Sequence, residues 1–277
     1  MAIKEDDISL LRKKIDKIDH AIIDLLKDRI EIVAQVGHLK AKKAKPGFSF
    51  IRSGREAQML RDLTKKIGNS FPQAAIATIW RMIISASLNV EQSLKISAYV
   101  SNNDNSCYWL AREYYGNFTN ITIEHSCEKI IQDVVSGKIS VGILPIIDND
   151  SNPWWVRPPQ EKNDIYVFAR IPFVEQSDKQ GNAALAIANV MPEATEDDIS
   201  IFVVHLDDEA EVVSRMFKKA GLNPKFLTGD SGKYLIEIAE FINPNDKRIA
   251  EIKRNFAAGD SIRLIGNYAA PIKARPL

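Results

Sequence analysis

Residues 7 to about 42 contain no proline and a single glycine, and Ile8, Leu11, Ile15, Ile18, Ile22, Leu25, Ile32, Val36 and Leu39 recur at helical steps of three, four and seven. That spacing is the seam of one long packed helix, about 50 Å from end to end at 1.5 Å per residue. Such a helix is too long to pack only on its own short chain. Lys45-Pro46-Gly47-Phe48-Ser49 interrupts the pattern, and a second helix is predicted from Arg52 to Ile67, stopped by Gly68-Asn69. Pro72 suits the first turn of a third helix, which continues through Ile76, Trp80, Ile83 and Ile84 to about Leu94.

After Lys95 the texture changes to short β-rich runs alternating with helices: Ile96–Val100, a helix over Cys107–Tyr115, Ile121–Glu124, a helix over Glu128–Ser136, Ser140–Pro145 and Ile165–Ile171. These runs predict a small α/β domain. Asp148–Gln160 reads as an irregular loop, in which Trp154 and Trp155 either stack on a ligand or anchor the loop in the core, and Glu175–Asn182 reads as a polar linker or hairpin tip. From Ser200 the order is strand, helix Asp208–Ala220, strands Pro224–Leu227 and Lys233–Phe241, helix Asn245–Phe256 and strand Ser261–Tyr268. That βαββαβ order is ferredoxin-like. The expected organisation is multidomain: an all-α three-helix domain over residues 1–95, a small α/β domain over 96–194 and a ferredoxin-fold domain over 195–277.

Lys plus Arg number 37 and Asp plus Glu 36, a formal net charge of +1, so no global field draws the chain to nucleic acid or a membrane. Any cationic site must be local. Acidic residues near the N-terminus do not fit a signal peptide, and no apolar run reaches the length of a membrane span. Cys107 and Cys127 have no metal-site spacing and read as reduced packing residues of a cytoplasmic protein. His20, His38, His125 and His205 are scattered, so no metal is assigned.

The informative feature is charge where the seams call for apolar residues. Arg29 falls seven residues after Ile22 and four after Leu25, where the first helix should continue its apolar line. Lys40 lies eleven residues further, within about 20° of the same face. On the third helix the seam through Ile76, Trp80 and Ile83 meets Ser87 and then Glu91, an i, i+4 pair. On the second helix the face of Leu60, Leu63 and Ile67 extends back to Glu56, with Arg55 beside it. Burying an unpaired cation is costly, so a site of this composition must hold an anion or a carboxylate partner. The pattern supports a small-anion pocket in a helical bundle without naming the ligand.

Leu11-Arg12-x-x-Ile15-Asp16-x-Ile18-Asp19, Leu25-Leu26-x-x-Arg29, Val36-Gly37-x-x-Lys40, Arg55-Glu56-Ala57 and Trp80-Arg81-x-Ile83-Ile84-x-x-Ser87-x-x-x-Glu91-Gln92 resemble the all-helical chorismate mutase family, over essentially residues 8–95. The resemblance implies that chorismate is the substrate and that no cofactor is needed. It implies that Arg29 and Lys40 bind substrate carboxylate and ether oxygen, that Glu56 accepts the substrate hydroxyl, and that Ser87 contacts a carboxylate. It further implies that Arg55 supports the site, that Glu91 hydrogen-bonds the ether oxygen, and that Arg12 reaches the pocket of a partner subunit. Arg12 and Arg29 are about 25 Å apart along one straight helix, which a ligand of chorismate's size cannot bridge, so a homodimer with two shared sites is expected. Where the family often has aspartate three residues before Arg55, this chain has Arg52.

Residues 96–277 are similar to a shortened prephenate dehydratase. Ser136-Gly137-Lys138-x-x-Val141-Gly142-Ile143-Leu144-Pro145-Ile146-x-Asp148-Asn149 resembles one motif of that family, and Ile262-Arg263-Leu264-Ile265-Gly266-Asn267-Tyr268 resembles the closing strand of its ACT-like regulatory module. The family's catalytic Thr-Arg-Phe has only Ser200-Ile201-Phe202 as a counterpart, and isoleucine cannot help hydroxide leave. Its Glu-Ser-Arg-Pro is replaced by Phe226-Leu227-Thr228-Gly229-Asp230, so the resemblance does not extend to the phenylalanine-binding motif, and an amino-acid effector stays an open question. Three functions are therefore in view: a mutase alone, a bifunctional mutase and dehydratase, and an amino-acid-sensing dimer without catalysis. The polar residues on the helical seams speak against the third, and the missing Thr-Arg-Phe with the shortened middle region favours the first over the second.

Overall fold

The first seam folds as one unbroken helix, α1 (Glu5–Lys43). The computed structural model describes residues 5–43, 51–147, 153–156, 165–175, 183–230, 232–254, 256–257 and 259–273. The predicted breaker over 45–49, most of the loop over 148–160 and the tip over 176–182 lie outside them. Two further helices follow, α2 (Ser53–Ile67) and α3 (Gln73–Glu91), close to their expected bounds. Gly68 ends α2 at a φ of 59°, a conformation that favours glycine. The chain divides into two compact units, one made of α1 with Ser87–Ser93, the other of Ile51–Ala86 with the residues from Leu94 onward.

In the second unit β1 (Lys95–Tyr99), α4 (Ser106–Tyr115), β2 (Asn120–Glu124), α5 (Cys127–Val135) and β3 (Val141–Pro145) alternate as the sequence pattern predicts. They are followed by β4 (Tyr166–Ile171), β5 (Val174–Glu175) and β6 (Ala184–Ala188). The βαββαβ segment comprises β7 (Asp198–His205), α6 (Ala210–Lys219), β8 (Pro224–Asp230), β9 (Lys233–Ile238), α7 (Lys247–Lys253) and β10 (Ser261–Ala269), after which β11 (Ile272–Lys273) pairs with β5. Among the described residues nine strands form a single sheet in the order β2-β1-β3-β6-β4-β10-β7-β9-β8. Its β10-β7-β9-β8 end, antiparallel throughout, is the ferredoxin-like arrangement with β9 between β7 and β8.

The division differs from the expected boundaries in two ways. First, α2 and residues 73–86 of α3 belong with the sheet rather than with α1. Arg61 on α2 explains part of this, donating to Thr195 Oγ1 at 3.0 Å and to the carbonyls of Asp197 and Ala270 at 2.6 and 2.9 Å. Ser85 on α3 is buried and donates to the Tyr115 carbonyl at the end of α4. Second, the sheet runs across the 194/195 boundary, because β10 meets β4 in parallel at Gly266 and Val167. A Cβ on Gly266 would overlap the Val167 carbonyl oxygen and lie 2.6 Å from its nitrogen, both rigid backbone atoms. Gly266→Ala is expected to break this junction and cost roughly 3 kcal/mol or more, measurable as a lower urea midpoint.

Alternation along β7 serves two cores at once. Ile201 and Val203 face a cluster with Ile130, Leu144, Val167, Leu185 and Leu235, whereas Phe202 and Val204 face Val213, Phe217, Ile236 and Ile249. Trp154 and Trp155 are buried in the first cluster, and Trp154 Nε1 donates to the Pro145 carbonyl at 2.7 Å, so the pair anchors the core. Cys107 and Cys127 are buried too. Among the described residues no helix is long and apolar enough to cross a membrane.

Candidate active site

In the first unit α1 carries Arg29 and Lys40 to the last turn of α3. Arg29 Nη1 donates to Ser87 Oγ, and Lys40 Nζ donates to Glu91 Oε2 at 3.2 Å. The two cations rise about 16 Å along α1 whereas Ser87 to Glu91 rises about 6 Å. Their long side chains therefore converge from either side on one turn of α3. Gly37, the one glycine of α1, permits the approach: a Cβ there would lie 3.3 Å from Glu91 Cγ and 3.6 Å from Glu91 Cα. Alanine at that position would press on the carboxylate-bearing residue itself.

The cluster is withdrawn from solvent. Ser87 is buried, the Glu91 side chain is 9% exposed and that of Lys40 24%. Burial pulls the Arg29 guanidinium below its ordinary pKa, and the Glu91 carboxylate opposes that pull. Two cations face one carboxylate, so the cluster carries an excess positive charge in a desolvated place. A bound anion would offset this charge, and a dicarboxylate could meet both cations.

The remaining predicted residues are placed differently. Arg12 is exposed on α1, seventeen residues before Arg29 along a helix with no break, and the chain does not bring it to the cluster. Arg55 is exposed on α2. Glu56, in the second unit, is held by Arg81, whose Nη1 donates to Glu56 Oε2 at 2.6 Å. Arg52, in place of the family's aspartate, forms an exposed ion pair with Glu193 at 2.7 Å within the second unit.

Arg81 is the residue that sequence reasoning passed over. Ala77, Arg81 and Ser85 are all buried at successive steps of four on α3. A cation amid small residues on a helix was a signal that something larger, from outside the helix, packs there.

The fold and cluster define an all-helical segment that gathers two cations, a serine and a glutamate, followed in the chain by a mixed α/β sheet. Residues 11–92 match the model of the family described as chorismate mutase type II, and the chain carries a domain of that family at its N-terminus. Two curated relatives, both named bifunctional chorismate mutase/prephenate dehydratase, are from Aquifex aeolicus and Pseudomonas aeruginosa. The first is 29% identical over 142 residues, 51% of this chain and 39% of that protein. The second is 25% identical over 144 residues, with the same shares. The match thus spans about two-fifths of the length of these relatives. A solved prephenate dehydratase from Streptococcus mutans superposes with a TM-score of 0.39 at 13% identity, covering 64% of this chain and 99% of that one.

Proposed function

We propose that the chain converts chorismate to prephenate by an intramolecular Claisen rearrangement, with Arg29, Lys40 and Glu91 as the groups acting on the reacting atoms. The observation that carries this reading is the convergence of Arg29 and Lys40 on Ser87 and Glu91, which joins residues 58 and 51 positions apart in the chain. The rearrangement breaks one C–O bond and forms one C–C bond within a single molecule, so it needs no nucleophile and no cofactor. Two effects suffice. The cations, with Ser87, hold the dicarboxylate in its compact reactive conformer, and Lys40, with Glu91 when it carries a proton, stabilises negative charge growing on the ether oxygen. Glu56 accepts the substrate hydroxyl, and Arg55 lends positive charge beside it.

The partner is a second copy of this chain. Ile15, Ile22, Leu25, Ile32 and Leu39 of the α1 seam are 50 to 67% exposed in the single chain, an apolar stripe that water does not favour leaving uncovered. An antiparallel second α1 covers the stripe and carries its Arg12 to the pocket that one chain leaves without it. We read the enzyme as cytoplasmic.

The mutase is proposed to act alone. Ser200, Ile201 and Phe202, the counterpart of the dehydratase catalytic run, are buried in β7. Ser200 Oγ donates to the Glu240 carbonyl and accepts from the Ile242 amide, both at 2.7 Å. That serine is a core tie rather than a group open to a ligand. The competing bifunctional reading has the names of the curated relatives in its favour, and the βαββαβ segment is read as an ACT-like module. One assay on the purified full chain separates the readings, following chorismate loss and phenylpyruvate formation without added metal or nucleotide. Enzyme-dependent loss of chorismate with no phenylpyruvate is the expected result. Loss no faster than the uncatalysed background defeats the mutase reading, and enzyme-dependent phenylpyruvate establishes the bifunctional one.

A further inference from the structure

Within the second unit the Arg81–Glu56 pair is almost fully enclosed, with side-chain exposures of 6% and 13%. A buried ion pair is weak as a stability device, because desolvating two charges offsets most of their attraction and an apolar pair of similar volume does as well. Its geometry suggests another use. The contact is one-pronged: Arg81 Nη1 takes Glu56 Oε2, while Arg81 Nε is buried without a hydrogen-bond partner. Among the described residues no hydrogen bond engages Glu56 Oε1, and unlike Arg81 Nε that oxygen is not sealed from solvent. A fork-to-fork pairing would consume both carboxylate oxygens. Here one oxygen is fixed and the other is left to accept.

What fixes Arg81 comes from beyond the helical segment. The guanidinium carbon lies 4.4 Å from the centre of the Tyr114 ring and 5.8 Å from that of Tyr115, both on α4. Tyr114 Oη is 3.4 Å from Arg81 Nη1. The end of α4 is in turn tied to α3, since Ser85 Oγ donates to the Tyr115 carbonyl, which also accepts from Thr119 Oγ1 just beyond α4. Burial works against the Arg81 charge, yet the tyrosines and Glu56 outweigh it and leave its pKa raised. The cation stays charged and stays put.

We propose that Arg81, seated on the Tyr114 ring of α4, is a positioning residue that holds the Glu56 carboxylate with one oxygen free for the substrate hydroxyl. The helix following the first sheet strand therefore has a part in mutase function. This rests on the mutase reading and on the hydroxyl-accepting role of Glu56.

The test is a double-mutant cycle on the full chain, with chorismate as substrate. Tyr114→Leu removes the ring beneath the guanidinium and touches no substrate, and Arg81→Lys keeps the charge without the planar fork. Each is made in the wild-type and in the Glu56→Gln background. A hydroxyl contact is made in ground and transition state alike, so its misplacement raises KM with kcat little changed. In the wild-type background each change is expected to raise KM by about tenfold, and in the Glu56→Gln background by less than about twofold, because coupled groups are not additive. Equal effects in both backgrounds, or a loss of kcat at constant KM that tracks the folded fraction in thermal unfolding, would reduce Arg81 to a packing residue and overturn the proposal. If Arg81→Lys does not fold, the Tyr114→Leu arm decides alone. Wild-type protein that turns over no chorismate defeats the mutase reading first, an outcome distinct from additivity in an active enzyme.

Discussion

Lys40→Ala is expected to lower kcat for chorismate by about 10²–10³-fold, the loss typical of removing one charge-stabilising donor from a desolvated site. The ammonium is 3.2 Å from Glu91 and its side chain is 24% exposed, so no water takes its place at full strength. Arg29 does not stand in its place, because its hydrogen bond is with Ser87, one turn of α3 away from Glu91. Glu91→Gln should behave oppositely. An ionised glutamate has no proton to give and repels negative charge growing on the ether oxygen, so only the protonated acid can assist there. Glutamine supplies a permanent donor, so Glu91→Gln should keep kcat at or above the wild-type value. Values of kcat and kcat/KM for the variant check this, and a loss as deep as that of Lys40→Ala would remove Glu91 from the ether oxygen.

Arg12→Ala and Lys40→Ala, each inactive by itself, are expected to recover about a quarter of wild-type activity when mixed in equal amounts and allowed to exchange subunits. Random exchange makes half the dimers mixed, and one of the two pockets in each mixed dimer has both wild-type groups. The motive is geometric. α1 is continuous from Glu5 to Lys43, which holds Arg12 about 25 Å from Arg29 on the same helix. The exposed apolar stripe beside Arg12 would give a second copy its docking surface. Activity is read after mixing, with exchange verified by a tagged subunit. Proven exchange without recovery would put Arg12 outside the pocket.

Much of the fold was legible because its signals are local. The three helices, and the strands and helices from β1 through β4 and from β7 through β10, follow from periodicity and breakers that act within a few residues. β6 was missed for a local reason as well: Ala184-Leu185-Ala186-Ile187-Ala188 is rich in alanine, which disfavours strands in isolation. Only burial on both faces between β3 and β4 makes it one.

The sequence by itself determined the candidate cluster. Arg29, Lys40, Ser87 and Glu91 announce themselves because helical geometry places them on seams where charge is costly, and those four are the ones brought together. Tertiary structure alone decided what Glu56 rests against. Arg81 and Tyr114 are 33 residues apart on different elements, and no periodicity relates them. It likewise decided that α2 belongs with the sheet, through the Arg61 bonds to residues 134 to 209 positions away. It also joined the two predicted α/β segments into one sheet, because a glycine at position 266 lets two backbones meet where any side chain would hold them apart. Seams are written in spacing along one helix, whereas these contacts depend on which surfaces meet, and that is settled only when the whole chain has packed.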